Sequence, residues 1–168
     1  MSHTNSTPLR SARLTLLPLT GADAGALFTL YTNEEITRFT EEDVFLSGES
    51  PDTFTQRIAG YCTHMWTLRL SNRPDVVIGD CALHHYDAGE QKIEMGGTLL
   101  PPYWGRGLMK EAFDEVMHWA LQSLPLRTFE TKTHPLNRQA VKLMDKMGFV
   151  RILENPREAI YRKQVVRD

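Results

Sequence analysis

The chain has 168 residues, 41% hydrophobic and 24% charged, which suits one globular domain with a sizeable core. Its 19 Lys and Arg residues nearly balance 21 Asp and Glu residues, and a formal net charge of -2 gives no electrostatic reason to expect nucleic acid or an anionic membrane as partner. Two isolated cysteines, Cys62 and Cys81, argue against a disulfide scaffold or a cysteine metal centre and favour a reducing, cytoplasmic setting.

The predicted elements alternate along the chain without a linker. We expect a single domain over residues 1–168, with a flexible tail at 1–10 and no secretory signal or membrane span. The patterns predict strands at 12–19, 66–70, 76–87, 91–100, 126–134, 150–154 and 159–166, and helices at 20–33, 50–66, 107–124 and 135–149. This order predicts an α/β (α+β) fold: a mixed, mostly antiparallel sheet of about six to seven strands, flanked by about four helices. Gly79, inside a strand, indicates a bulge or a close backbone contact.

Two glycines flank Arg106 in PPYWGRGLMKEA (101–112), directly before the longest predicted helix. We call residues 104–109 the glycine turn. A helix start presents unpaired backbone N–H groups and a positive dipole end, and glycines let that backbone close on a bulky anion such as a pyrophosphate. The alternative is a tight strand-to-helix turn without a ligand, because glycine also serves turns.

The segment IEMGGTLLPPYWGRGLMKEA (93–112) resembles the signature of the GNAT N-acetyltransferase superfamily, in the branch similar to ribosomal-protein N-terminal (alanine/serine) acetyltransferases. Three other segments are similar to the same branch: SARLTLLPL (11–19), VIGDCALHHYD (77–87) and NRQAVKLMDKMGF (137–149). The resemblance covers nearly the whole chain. It implies a GNAT-like sheet in which a splayed strand pair forms the cleft for coenzyme A (CoA), and acetyl transfer from acetyl-CoA to a primary amine.

The resemblance also implies where acetyl-CoA would bind. The strand before the glycine turn would contact the pantetheine arm and offer a backbone N–H to the oxyanion that forms at the thioester. We expect Gly96 and Gly97 to form the bulge that opens this strand. Asn137 would contact the far side of CoA, or would only cap the following helix. The other implied contacts are Thr98, Leu99 and Leu100 on the strand and Trp104, Gly105, Arg106, Gly107, Leu108 and Met109 in the turn, where Met109 replaces the family's Gly or Ala.

Glu94 occupies the position where relatives carry a glutamate that acts through water as a general base. An amine must be neutral to attack a thioester, so a base is useful. The alternative is a salt-bridged or solvated strand carboxylate. No general acid is identified, because Met144 and Ala140 stand where many relatives have a tyrosine and a serine. Neither cysteine has an activating environment, which predicts direct transfer in a ternary complex.

The histidines and the acidic residues bear on metals and on the acceptor. His84 and His85 follow each other in a predicted strand and should point to opposite faces, so we expect no metal site, although one of them could line the acceptor site. His134 lies close to the cleft or on a surface loop. Segment 33–50 should overhang the acceptor, and its six acidic residues against the single Arg38 either favour cationic amines or form a solvated loop.

Three functions fit these observations. The favoured one is an acetyl-CoA-dependent N-acetyltransferase acting on a peptide N-terminus or a small-molecule amine, as a monomer or homodimer. The alternative is a catalytically degenerate module that binds CoA or acyl-CoA as a sensor or interaction partner, to which Met109 and Ala140 would point. A nucleotide-phosphate enzyme is disfavoured, because no lysine-serine pair follows Gly107.

Overall fold

The structure, a computed structural model, describes residues 7–40 and 44–166. Two short 3-10 turns lie at Gly21–Asp23 and Pro101–Tyr103. In chain order the other elements are β1 (Leu9–Arg10), β2 (Leu14–Pro18), α1 (Ala24–Thr32), α2 (Glu34–Thr37), α3 (Pro51–Tyr61), β3 (Cys62–Leu70), β4 (Gly79–Asp87), β5 (Lys92–Leu99), α4 (Leu108–Ser123), β6 (Thr128–Thr133), α5 (Arg138–Lys146), β7 (Val150–Glu154) and β8 (Ala159–Gln164).

The strands form one sheet in the order β1-β2-β3-β4-β5-β6-β8-β7. Every neighbouring pair is antiparallel except β5 and β6, which are joined through α4, because parallel strands need a crossover connection. The predicted mixed, mostly antiparallel sheet is confirmed. Within the described residues the sheet has eight strands and the fold has five α-helices, one more of each than the sequence patterns predict.

The helices cover both faces of the sheet. Alternate residues of β4 show the division: Cys81 and Leu83 are buried in the cluster that contains α4, whereas Ala82 is buried in the cluster that contains α1 and α3. None of the helices within the described residues is long and apolar enough to cross a bilayer. The sheet therefore has a hydrophobic core on each of its two faces, and strands β4 to β6 lie near its centre.

The start of the chain differs from the predicted tail. Leu9 and Arg10 pair with Leu16 and Thr15, and the carbonyl of Thr7 accepts a hydrogen bond from the indole of Trp66 at 2.9 Å. The prediction of a tail through residue 10 is therefore wrong for this stretch, because the edge of β2 offers unpaired backbone groups. The rest of the predicted tail, residues 1–6, lies outside the described residues.

The second predicted helix is shorter than expected. Ser50 caps it and Pro51 is its first residue, which agrees with the predicted start at residue 50, but it ends at Tyr61 and β3 begins at Cys62. The residues of β3 pair with β4, so sheet pairing determines their conformation, and Gly60, the glycine nearest to this boundary, is still part of α3. The extra helix, α2, is a single turn capped by the Asn33 side chain.

Candidate active site

A cleft opens in the sheet between β5 and β6. The two strands pair only at Lys92 with Thr128, Ile93 with Phe129 and Glu94 with Glu130. Beyond these pairs β5 continues to Leu99 and β6 to Thr133 without a shared register. The predicted splayed strand pair is present, and its opening begins directly after Glu94.

The backbone of β5 presents N–H groups to this cleft. On the opposite edge, Leu100 donates its N–H to the carbonyl of Ile78 at 2.8 Å, and Thr98 donates to the Asp80 carboxylate at 3.2 Å. Because successive N–H groups of a strand point to opposite edges, those of Gly97 and Leu99 face the cleft. Two residues of β5, Gly97 and Leu99, are therefore the candidates for the expected oxyanion donor, and that role stays a prediction.

Position 97 needs a glycine because neighbouring atoms pack closely against it, and not because the strand bulges there. A Cβ atom built there would lie 2.9 Å from the Asp80 carbonyl oxygen, 3.0 Å from the Met109 sulfur and 3.1 Å from the Phe113 ring. The register between β4 and β5 is regular at both Gly96 and Gly97. The predicted bulge is therefore wrong: the glycine lets the start of α4 approach β5, and Met109 packs onto the sheet.

Close packing also explains Gly79 in β4. A Cβ atom at this position would lie 2.2 Å from the carbonyl oxygen of Thr98 and 3.1 Å from the Cα of Leu99. The close backbone contact predicted at Gly79 is confirmed. It brings β4 tightly against the stretch of β5 that borders the cleft.

The irregularity of this strand pair lies in β4. The register shifts between His84 and Asp87, and His85 adopts a left-handed backbone with φ of +50°. The shift ends the strict alternation of side chains. Both imidazoles consequently reach the same carboxylate: His84 Nε2 lies 3.3 Å and His85 Nδ1 3.0 Å from Glu94 Oε2. The expectation that the two histidines point to opposite faces is wrong.

Glu94 lies at the centre of this cluster. Its other oxygen, Oε1, lies 3.3 Å from the Lys132 ammonium, and its side chain is only 12% exposed. Burial raises the pKa of Glu94, but the hydrogen bond with His85 and the charges of Lys132 and His85 outweigh it, so the pKa lies below its usual value. For His84, burial lowers the imidazole pKa, partly offset by the Glu94 charge. Glu94 is therefore a charged, ion-paired carboxylate beside the cleft.

The positions of His84, His85 and Glu94 affect the prediction that the protein has no metal site. Their donor atoms all lie within 4.8 Å of one another, whereas strict strand alternation would place the two histidines on opposite faces of the sheet. The Lys132 ammonium, however, already contacts the same carboxylate. A second cation at this carboxylate would be repelled by the first. The absence of a metal from the reaction stays a prediction.

The glycine turn forms the upper end of the cleft. Gly105 and Gly107 both have left-handed backbones, with φ of +73° and +76°. The first helical bond of α4 is donated by Glu111 to the Gly107 carbonyl, so the N–H groups of the preceding helical turn point out of the helix end without an intrahelical partner. Gly107 has no side chain that could cap them. The Trp104 indole donates to the Leu99 carbonyl at 2.6 Å and ties the turn to β5.

Arg13, the residue directly before β2, supports the turn, a role the sequence patterns did not reveal. Its guanidinium donates to the Arg106 carbonyl at 2.9 Å and to the Glu111 carboxylate at 3.1 Å. The backbone N–H of Arg13 also donates to the Glu111 carboxylate. One side chain thus joins the turn to the first turn of α4. The contact orients the Arg106 carbonyl toward Arg13, so the N–H of Gly107 in the same peptide unit points the other way. These features fit a pyrophosphate.

Helix α5 borders the cleft beyond β6. The Asn137 side chain caps the helix by accepting the Ala140 N–H at 3.3 Å, so the capping alternative is confirmed. The same amide carries an NH2 donor, and contact with CoA through it stays a prediction. Met144 is 3% exposed and belongs to the core. It cannot serve as an acid, as predicted.

Described residues of segment 33–50 make specific contacts, unlike a merely solvated acidic loop. Glu49 pairs with Arg57 at 2.7 Å, and this hydrogen bond lowers the pKa of Glu49 to about 2. Phe39 stacks on the ring of His134 with centroids 5.3 Å apart, which links this segment to the turn after β6. His134 is thus near the cleft as well as in a loop. Three of the predicted acidic residues, 41–43, lie outside the described residues.

The cysteines are not activated, as the sequence analysis predicted. Burial, with a further contribution from the Asp80 charge, raises the pKa of Cys62 to about 12. The same causes raise the pKa of the fully buried Cys81 well above its usual value. Both residues are therefore protonated thiols near neutral pH, and neither is a thiolate nucleophile.

Comparison with known proteins agrees with this geometry. A family model described as the acetyltransferase (GNAT) domain matches residues 13–150. The chain is 27% identical over 144 residues to p20, an uncharacterized N-acetyltransferase of Bacillus licheniformis, covering 84% of this chain and 81% of p20. An acetyltransferase of the GNAT family from Bacillus anthracis superposes with a TM-score of 0.79 at 20% identity, over 94% of this chain and 98% of that one.

A further solved structure is RimL, a ribosomal alpha-N-protein acetyltransferase, in complex with coenzyme A. It superposes with a TM-score of 0.76 at 15% identity, over 95% of this chain and 98% of that one. The family match spans β2 to the start of β7 and so includes the cleft, the glycine turn and the Glu94 cluster. The chain belongs to the GNAT acetyltransferase family and is an acyltransferase.

Proposed function

We propose that this acyltransferase moves the acetyl group of acetyl-CoA to a primary amine by direct attack, with both substrates bound in the cleft between β5 and β6. The observation that carries the proposal is the sequence of features along β5. The strand leaves β6 directly after the Glu94 cluster, and it ends at a helix start with two left-handed glycines.

The glycine turn supplies the binding group for the phosphates. The outward N–H groups at the start of α4 and the positive end of its dipole attract a pyrophosphate, and Arg106 adds a charge. The pantetheine arm would then follow β5 toward Glu94 past Gly97 and Leu99. Their N–H groups would stabilise negative charge that develops on the thioester carbonyl.

The Glu94 cluster supplies the basic group. An acceptor amine is protonated near neutral pH and must lose a proton before it can attack. The buried, ion-paired carboxylate and the two imidazoles beside it form the titratable group at the mouth of the opening. The acceptor would be a peptide N-terminus or a small-molecule amine, and the segment from Asn33 to Ser50 would shape its site.

An acceptor screen tests the proposal. Purified protein is mixed with acetyl-CoA and a panel of N-terminal peptides, polyamines and small amines, and both free thiol and acetylated product are measured. We expect stoichiometric thiol and acetylated amine for at least one class. Binding of acetyl-CoA in calorimetry without any amine product would instead favour the catalytically degenerate CoA-binding module. A protein stabilised by ATP but not by acetyl-CoA would contradict both.

A further inference from the structure

The carboxylate of Glu94 is fully engaged by its neighbours. Oε1 contacts the Lys132 ammonium at 3.3 Å, and Oε2 contacts His85 Nδ1 at 3.0 Å and His84 Nε2 at 3.3 Å. These partners come from two strands, β4 and β6, and the ring of Tyr61 at the end of α3 packs against both imidazoles. A carboxylate held by a cation and two nitrogen donors is a weak base, because each partner favours its charged form.

The contact with Glu94 fixes the hydrogen on His85. A charged carboxylate can only accept hydrogen bonds, so Nδ1 of His85 carries the hydrogen and, in the neutral ring, Nε2 keeps its lone pair. The His85 side chain is 49% exposed. Its Nε2 is therefore the basic atom of the cluster that a bound amine and solvent can both reach.

His84 differs from His85 in the solvent exposure of the nitrogen that does not contact Glu94. It contacts Glu94 through Nε2, and its remaining nitrogen, Nδ1, is buried without a hydrogen-bond partner among the described residues. A buried nitrogen with no outlet cannot take a proton from a substrate and pass it to water. His84 thus holds Glu94 in place, and the exchange of protons falls to its neighbour.

We propose that His85 is the catalytic base of the transfer reaction and that Glu94 is its positioning residue, in the manner of a carboxylate–imidazole pair. The inference deepens the proposed function and rests on it. It also replaces the water-mediated role expected for Glu94. The left-handed backbone of His85 is what turns its imidazole toward Glu94.

The step balances as follows for an acceptor ammonium. One proton passes to His85 Nε2 and from there to water, and the freed lone pair forms the C–N bond at the acetyl carbonyl carbon. The C–S bond breaks with its electron pair on sulfur, and the second nitrogen proton ends on that thiolate. The products are the amide and free CoA, and one proton has been released to solvent.

The variant His85→Asn tests this assignment. Asn tolerates a left-handed backbone, and its side-chain NH2 can replace the Nδ1 donor to Glu94, but it has no titrating nitrogen. We expect kcat to fall about 100-fold, the acidic limb of the kcat/KM profile to disappear, and acetyl-CoA affinity to stay unchanged. A variant that keeps the wild-type acidic limb would overturn the proposal.

Two matched variants separate the roles of the neighbours. His84→Gln keeps a donor at the Nε2 position, so the acidic limb should remain at its wild-type pH whatever the rate. Glu94→Gln keeps the shape of the side chain but removes the charge that orients the His85 ring, so kcat should fall while acetyl-CoA affinity stays unchanged. If instead His84→Gln abolishes the limb and His85→Asn does not, the assignment is reversed and the proposal is wrong.

Two further measurements give independent readouts. Free imidazole should restore part of the activity of His85→Gly but not of Glu94→Gln; a failure of rescue would contradict a base at this position. Nitrogen NMR of the free protein should show His85 with hydrogen on Nδ1, and hydrogen on Nε2 alone would overturn the pair. Because NMR needs no turnover, it still decides the assignment if the acceptor screen shows no acetylation and the proposed function fails.

Discussion

At the scale of single residues, the left-handed glycines of the glycine turn make the most direct prediction. Gly107→Val places a branched side chain at φ of +76° and beside the N–H groups that we assign to the pyrophosphate. We expect acetyl-CoA affinity in calorimetry to fall at least about 10-fold, or about 1.4 kcal/mol.

Gly48→Val is the matched control for this variant. Gly48 has nearly the same backbone, with φ of +70°, but lies in another loop with open space around it. The control carries the same strain, so it separates a loss of the phosphate site from a general loss of stability. Wild-type affinity in Gly107→Val would contradict the pyrophosphate assignment.

Residue types alone predict the glycine turn, but they do not predict the packing at Gly97 or the orientation of His85, for physical reasons. The left-handed backbones of Gly105 and Gly107 agree with the turn that the sequence predicts, and their contact with a pyrophosphate stays a prediction. Gly97 was misassigned to a bulge, since its actual reason is the approach of α4, a contact between elements far apart in the chain. His85 was misplaced because one left-handed residue reverses the strand alternation on which a sequence pattern relies.

At the scale of elements, Arg13 connects β2 to the glycine turn and to α4. Its side chain is 51% exposed, so its ion pair with Glu111 should contribute less than about 1 kcal/mol to the free energy of unfolding. Its hydrogen bond to the Arg106 carbonyl, however, orients the turn. Arg13→Ala should therefore weaken acetyl-CoA binding about 10-fold, the equivalent of one hydrogen bond to a charged group.

Comparing acetyl-CoA affinity with the stability of the fold isolates the role of Arg13 in orienting the glycine turn. Arg13→Ala should lower acetyl-CoA affinity in calorimetry while the urea unfolding midpoint changes little. Arg10→Ala, on the neighbouring edge strand β1, is the matched control and should leave affinity unchanged. Equal loss of affinity in both variants would show that β1 and β2 act only through general stability.

Element boundaries followed local signals where those were present. Ser50 and Pro51 start α3, close to the predicted start at residue 50, and Gly148, with φ of +78°, follows α5, close to the predicted end at residue 149. Near the transition at Cys62 the chain has Gly60, which is still helical, and the pairing of β3 with β4 decides where the helix ends. Strand β1 has two residues, too few for a periodic pattern, and depends on the free edge of β2.

At the scale of the whole molecule, Asp80 makes stability depend on pH. It is 2% exposed and accepts hydrogen bonds from Tyr31 at 2.9 Å and from Thr98. Burial raises its pKa to about 6, despite these hydrogen bonds. Because the folded state holds the proton more tightly than the unfolded chain, this contribution to stability is present below about pH 4 and is lost as pH rises through about 6.

Asp80→Asn removes this titration and so tests it. In urea unfolding between pH 4 and 7, the free energy of unfolding of the wild type should fall relative to that of Asp80→Asn by up to about 3 kcal/mol as pH rises. Other titrating groups are common to both proteins and cancel in the difference. A difference that is constant or grows with pH would contradict a buried, protonated Asp80.

The central claim is that acetyl-CoA and the amine meet in one cleft and react without an acetylated enzyme. Two-substrate initial-rate kinetics, measured on the wild type and on the Cys62→Ala, Cys81→Ala double variant, test it most directly. We predict intersecting reciprocal plots for both proteins and retained activity in the double variant, because neither thiol is activated. Parallel plots, together with a kinetically competent acetyl-cysteine in mass spectrometry, would contradict the account.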